Sequence, residues 1–103
     1  MENLLDETLR ALRENGKSES DVKYVESFPL LTDWESFKQN ANFNYDDGYG
    51  YNEISLNLKI VGDTWWLERD EYDGSEWWNF KEHPDADTKR TAYPHEIMKM
   101  IKN

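Results

Sequence analysis

Leu5, Leu9 and Leu12 recur at i, i+4 and i+7 with Leu4 and Ala11 alongside, and this spacing predicts a helix over residues 3–14 with one apolar stripe. Asn3 can cap its start, and Asn15-Gly16 supplies a stop. A polar loop from Lys17 to Asp21 leads into Val22-Lys23-Tyr24-Val25, which is short, β-branched and aromatic, the composition of an edge strand. Beyond the interruption at Pro29, Thr32-Asp33-Trp34-Glu35 matches a capping box. In that motif the threonine hydroxyl accepts from the backbone three residues on, and the glutamate reaches back to the threonine N–H. A second helix is therefore expected over residues 33–41, burying Trp34, Phe37 and Ala41. Residues 42–53 mix aromatics with Asn, Asp and Gly without a clean period and read as a structured loop.

From Leu56 the period changes to two, with Leu56, Leu58 and Ile60 alternating with Asn57 and Lys59 until Gly62-Asp63 turns the chain. Two Trp-Trp pairs, Trp65-Trp66 and Trp77-Trp78, then stand on either side of Asp73-Gly74, a strong hairpin signal. With two-residue turns, Leu58 faces Leu67 and Ile60 faces Trp65 across the first hairpin, while Leu67 faces Phe80 and Arg69 faces Trp78 across the second. One face then collects Leu56, Leu58, Ile60, Trp65, Leu67, Trp78 and Phe80. The other carries Lys59, Trp66 and Lys81 in one row, Asn57, Glu68 and Asn79 in the next, and Asp70 beside Trp77. This register sets Glu71 opposite Glu76, a like-charge pair that costs roughly a few tenths of a kcal/mol, which a four-residue loop would relax. After Pro84 the run to Thr91 has few apolar residues and reads as a linker. Pro94 then opens a short helix on which Ile97, Met100 and Ile101 share a side. The pattern as a whole predicts an α+β fold: an antiparallel three- to four-stranded meander, two helices packed on its Leu58/Leu67/Phe80 face, and a short C-terminal helix. Residues 1–83 form the expected single domain, and residues 84–103 the linker and last helix.

A chain of 103 residues has room for one modest core, and with aromatics at 15% against 37% hydrophobic overall, much of the buried area must come from a few large rings. The formal net charge of −10 disfavours direct binding to nucleic acid or to an anionic membrane. That charge is uneven: residues 1–88 hold 21 acids and 8 bases (−13), residues 89–103 hold 1 acid and 4 bases (+3). The lack of cysteine removes disulfides, thiolate zinc sites and cysteine nucleophiles together. No apolar run approaches the ~18 residues of a membrane span. A cytoplasmic protein is expected.

Candidate chemistry is sparse. Asp46, Asp47 and Asn52 near glycines invite a calcium-loop reading, but their spacing does not fit an EF-hand, and tight-turn chemistry explains the same residues. His83 and His95 stand without a Ser or Cys nucleophile motif, and carboxylate pairs such as Glu68 and Glu76 are unspecific among 22 acids. No catalytic residue, cofactor or metal is expected. Trp66 between Lys59 and Lys81 suggests a cation–π sandwich, or with Trp77 a platform for a sugar or a partner's side chain. The competing expectation is that another element, such as the C-terminal helix, covers both indoles. The acids Asp63, Glu68, Asp70, Glu71, Asp73 and Glu76, joined by Asp46, Asp47 and Glu53, gather near the hairpin. A solvated acidic surface is the plain reading. The sharper one is that carboxylates on a rigid sheet imitate duplex phosphates and occupy the basic cleft of a nucleic-acid enzyme.

The run from Ile60 to Lys81, with its Trp65-Trp66-Leu67-Glu68-Arg69 and Glu71-Tyr72-Asp73-Gly74-Ser75-Glu76-Trp77-Trp78 segments, resembles a family of short acidic proteins encoded in phages and mobile elements of Gram-positive bacteria. Glu2-Asn3-Leu4-Leu5, Trp34-Glu35-Ser36-Phe37 and Tyr45-Asp46-Asp47-Gly48-Tyr49-Gly50 are similar too, so the likeness extends to about Lys81 and leaves out residues 84–103. The resemblance implies a setting, a small accessory gene of a virus or mobile element. By analogy it implies an inhibitor of host defence, of the anti-CRISPR or anti-restriction type. The expected function is thus a small acidic, non-enzymatic binding protein, monomeric or weakly dimeric. It would engage a basic protein such as a host nuclease through Asp46, Asp47, Glu68, Asp70, Glu71, Asp73, Glu76, Trp66 and Trp77. The alternative is a recognition module that stacks a ligand or partner on an exposed Trp66/Trp77 face, with no role in defence.

Overall fold

Asn3 caps the first helix as its position predicts. Its Oδ1 accepts from the Asp6 N–H at 3.0 Å, and α1 runs over Leu4–Glu14. The structure, a computed structural model, describes residues 1–46, 53–84 and 97–102. Two further N–H groups of the first turn are taken by distant backbone: Leu4 N donates to Phe43 O and Leu5 N to Ala41 O, both at 3.0 Å. The same approach pairs β1 (Glu2–Asn3) with β4 (Asn44–Tyr45), so part of the aperiodic loop is tied to the start of the chain. The buried face of α1 is Leu4, Thr8 and Leu12 with Glu7, while Leu5 and Leu9 are only half-buried at its flank. The expected leucine stripe is thus rotated. Polar contacts explain why: Trp78 Nε1 donates to Thr8 Oγ1 at 3.0 Å, and Arg69 binds Glu7, drawing those two residues inward.

Val25 lies in β2 (Tyr24–Ser27), but this strand is interior. It pairs with β3 (Leu30–Thr32) on one side and β5 (Leu58–Val61) on the other. Pro29 does not break the sheet. The cis Phe28-Pro29 peptide forms a two-residue connection between Ser27 and Leu30, and β3 becomes the edge that β2 was expected to be. Thr32 is spent pairing with Val25, so the cap of α2 (Trp34–Asn40) is Asp33, whose Oδ1 accepts from the Ser36 N–H at 2.7 Å. Trp34, Phe37 and Ala41 are buried, as the helical spacing requires.

The two hairpins complete a five-stranded antiparallel sheet in the order β3-β2-β5-β6-β7, with β6 at Trp65–Tyr72 and β7 at Ser75–Glu82. The turn between β6 and β7 is Asp73-Gly74, at φ 51° and 88°, the backbone that Asp-Gly adopts readily, and the pairing of Leu67 with Phe80 and of Arg69 with Trp78 follows. The first hairpin is shifted from expectation. Its turn residues are Asp63-Thr64, with Gly62 N donating to Trp65 O at 2.8 Å, so that Ile60 faces Leu67 rather than Trp65. A slip of two residues keeps the same side chains inward. A Cβ on Gly62 would stand 2.1 Å from Trp65 Cε2, so the glycine there makes space for the indole.

Val25, Ile60 and Leu67 lie side by side across β2, β5 and β6, and the helices cover them with Leu4, Leu12, Trp34 and Phe37. Leu56, expected in this core, is exposed, and Ile54 is buried in its place. The fold is α+β, with two helices on one face of the sheet and a short α3 at Ile97–Ile101. Among the described residues no helix is long and apolar enough to cross a membrane.

Candidate functional site

Strand alternation places every second residue of β6 and β7 on the sheet face away from the helices. There the register aligns Leu31, Glu26, Lys59, Glu68 and Asn79 in one row and Tyr24, Val61, Trp66 and Lys81 in the next, with Asp70 opposite Trp77 beyond them. Each indole has its single donor committed within this face. Trp66 Nε1 donates to Glu68 Oε1 at 2.7 Å, Trp77 Nε1 to Asn79 Oδ1 at 3.1 Å, and Asn79 Nδ2 in turn to Asp70 Oδ2 at 2.9 Å. The chain Trp77–Asn79–Asp70 crosses the hairpin and fixes both a ring and a carboxylate before any partner arrives. Trp77 is 36% exposed and Trp66 is half-buried.

The lysine sandwich around Trp66 does not form. Its ring neighbour is His83, with centroids 5.2 Å apart, whereas the cations found over rings are Lys17 at Trp65 and Arg69 at Tyr45 and Trp78. Lys59 sits between Glu26 and Glu68 in its row, so the middle of the face has mixed charge. The acidic character gathers instead at the hairpin tip. Asp70, Glu71, Tyr72 and Asp73 are all exposed there, and no base lies between Asp70 and Trp77 in the sequence.

Of the other expected contact residues, Glu68 and Asp46 are half-buried, and Asp47 lies outside the described residues, as does Asn52 of the calcium-loop reading. Glu76 must be removed from the acidic surface altogether. It points into the core, where its side chain is 1% exposed. Its Oε2 accepts from Glu53 N at 2.8 Å, and its Oε1 from Ile54 N at 3.1 Å and from Arg69 Nη2 at 3.3 Å. The expected repulsion with Glu71 is thereby avoided, since Glu71 remains in solvent while Glu76 is neutralised inside.

Arg69 is the centre of a buried cluster that the sequence reading did not single out. Nη1 donates to Glu7 Oε1 at 3.1 Å and Nη2 to Tyr45 Oη at 2.9 Å, while Tyr45 Oη donates to the same Glu7 oxygen at 2.5 Å. The guanidinium carbon lies 4.7 Å from the Trp78 ring centroid. Arg69 Nε is the one buried side-chain polar atom without a partner among the described residues. Burial pushes the Glu7 carboxyl up from its usual range, against the pull of Tyr45 and Arg69, and burial together with the bond to Glu7 pushes the Tyr45 phenol up. The signal available in sequence was the register itself, which aligned Arg69 with Trp78 on the apolar side. Apart from Arg69 Nε, the buried side-chain polar atoms of the cluster are paired within the protein, and the Arg69 side chain is fully enclosed. The cluster joins α1, β4, β6 and β7 and holds the chain where it enters Ile54.

Among the described residues no group of three or more His, Asp or Glu side chains is placed to hold a metal ion. No protein-family model, no curated protein and no solved structure matches the chain.

Proposed function

We propose that this chain is a small, non-enzymatic binding protein of a phage or mobile element that engages a basic, nucleic-acid-binding defence enzyme of its bacterial host, in the cytoplasm. Contact would be made by the β6–β7 hairpin tip and the adjoining outer face of the sheet. The observation that carries the reading is the tip itself: Asp70, Glu71 and Asp73 are exposed beside Trp77, and the Trp77–Asn79–Asp70 hydrogen bonds hold the nearest ring and carboxylate in place. Carboxylates on a rigid hairpin present negative charge to a cleft built for phosphate, and steering makes the encounter fast. An aromatic side chain at the centre of such a patch supplies the apolar anchor that charge alone lacks.

The test is a pull-down with the tagged chain from lysate of a Gram-positive host, nucleic acid digested beforehand, washed at low and at high salt. Recovery of a basic nuclease at low salt, lost with D70K/E71K/D73K, is the expected result. Binding that is indifferent to salt would end the phosphate-mimic reading. The half-exposed Trp77 favours a second reading, a platform that stacks a ligand or partner side chain. It would give quenching of tryptophan fluorescence that does not change with salt.

A further inference from the structure

Around the turn between β5 and β6, at the opposite end of β6 from the acidic tip, two open clefts of about 510 and 420 Å³ meet. They share Lys23, Asp63 and Trp65 and so form one trough. It runs from the outer face of the sheet, past the strand ends, to Gly16 and Lys17 beyond α1. The strand rise sets it roughly 20 Å from the hairpin tip along β6. We propose that this trough binds a neutral oligosaccharide, laid across the ends of β2, β5 and β6 and stacked on Tyr24 and Trp66.

The rings come first. Tyr24, Val61 and Trp66 stand in one row of the outer face, so the two aromatic positions are two strand spacings apart, about 10 Å, roughly the span of two sugar units. Tyr24 is 37% exposed, and the half-buried Trp66 is held by its bond to Glu68 and by His83, whose ring centroid lies 5.2 Å away. An aromatic face takes the C–H side of a sugar ring, and the hydroxyls of that ring then need polar partners at the rim. Those partners are present and unspent: among the described residues the side chains of Lys23, Asp63, Thr64 and His83 make no hydrogen bond or ion pair. Charge selects a neutral ligand. The charged side chains lining the trough are Lys17 and Lys23 against Asp21 and Asp63, which cancel with His83 uncharged, and the field of a chain at −10 repels an anion. The backbone argues against a peptide. Lys23 N donates to Val61 O at 2.7 Å, and Gly62 N to Trp65 O and His83 N to Thr64 O at 2.8 Å. The strand ends along the trough are thus paired with one another and offer no free edge to which an extended chain could add.

The test is an NMR titration of the isotope-labelled full chain with neutral di- to hexasaccharides of glucose and of N-acetylglucosamine, in α- and β-linkage, and with a uronic-acid oligomer of matching length. The expected result is a saturable shift of the Tyr24, Gly62 and Asp63 amides and of the Trp66 indole N–H with at least one neutral series, unchanged by salt. Tyr24→Ala and Lys23→Ala are each expected to weaken binding by about tenfold, the first by removing a stacking face and the second a hydrogen-bond donor. Both residues are exposed, and circular dichroism shows that each variant keeps the parent fold. Trp77→Ala, near the other end of β6, should bind as the parent does. Absence of a saturable shift with every neutral series would overturn the proposal, as would binding that both trough variants leave unchanged. So would binding that Trp77→Ala abolishes and Tyr24→Ala retains, which would put the ligand on the tip platform. Tighter binding of the uronic-acid oligomer, weakened by salt, would make the trough an anion site instead.

Discussion

Arg69 and Glu76 face each other diagonally across the β6–β7 hairpin, Nη2 to Oε1 at 3.3 Å, with their side chains 0% and 1% exposed. Each stands on a strand otherwise occupied at inward positions by Leu67, Trp78 and Phe80. A charged pair in that setting is stable only as a complete set, because removal of one member leaves the other desolvated and uncompensated.

Arg69→Met is accordingly expected to cost about 3–5 kcal/mol, a large part of the roughly 5–15 kcal/mol that holds a small domain together. Both Glu7 and Glu76 lose their cation at once. Urea unfolding followed by tryptophan fluorescence measures the change, and a midpoint equal to the parent's would mean that the cluster is not formed.

Glu7 gives a pH dependence whose sign is fixed by its environment. Burial raises its pKa above the ordinary 4.5, so the folded state holds the proton more tightly than the unfolded state does. Its stabilising contribution is therefore complete below pH 4.5 and is lost as the pH rises through the folded-state value. Glu7→Gln removes that loss, so the stability of the variant relative to the parent is expected to climb across this window and then level off. Parallel stability curves for the two proteins would show that Glu7 does not titrate in the core. Asp33 behaves oppositely: the Ser36 N–H holds its carboxyl below the usual range, and the cap it forms weakens on acidification.

Gly62→Ala tests a steric relationship. The added Cβ would lie 2.1 Å from Trp65 Cε2, and that indole is buried, so the ring must shift or the turn must open. A cost of about 1–3 kcal/mol is expected, with a change in the near-ultraviolet circular dichroism of the tryptophans. Unaltered spectra and stability would mean that Trp65 is packed elsewhere.

Leu67→Ala should cost about 2–5 kcal/mol, since the side chain is fully enclosed at the centre of the sheet. The hairpin-tip variant E71K should by contrast shift stability by no more than about 0.5 kcal/mol, because Glu71 is in solvent and, unlike Asp70 and Asp73, neither accepts from Asn79 nor occupies the positive-φ turn. Thermal melts distinguish the two outcomes. A destabilised tip variant would remove it as a clean probe of binding.

Local signals carried the helices and the second hairpin. Asn3 and the leucine period located α1 to within a residue, and Asp73-Gly74 set the β6–β7 register, because caps and turns depend on a few neighbouring residues. The first hairpin was half legible. Gly62-Asp63 marked a turn, but the need of the Trp65 ring for the space above Gly62 moved it on by one residue.

What the chain could not declare on its own was the fate of its polar residues at inward positions. Glu7 and Glu76 look like any of the 22 acids until Arg69 is brought to them, and the Arg69–Glu7 bond spans 62 positions of sequence. The edge position of β3 is of the same kind, since only the pairing of β2 with β5 makes β2 interior. Periodicity and turn chemistry act over about ten residues and so are written locally. Whether a carboxylate is solvated at the surface or neutralised in the core depends on which distant strand supplies its counterion, and that is settled only when the sheet closes.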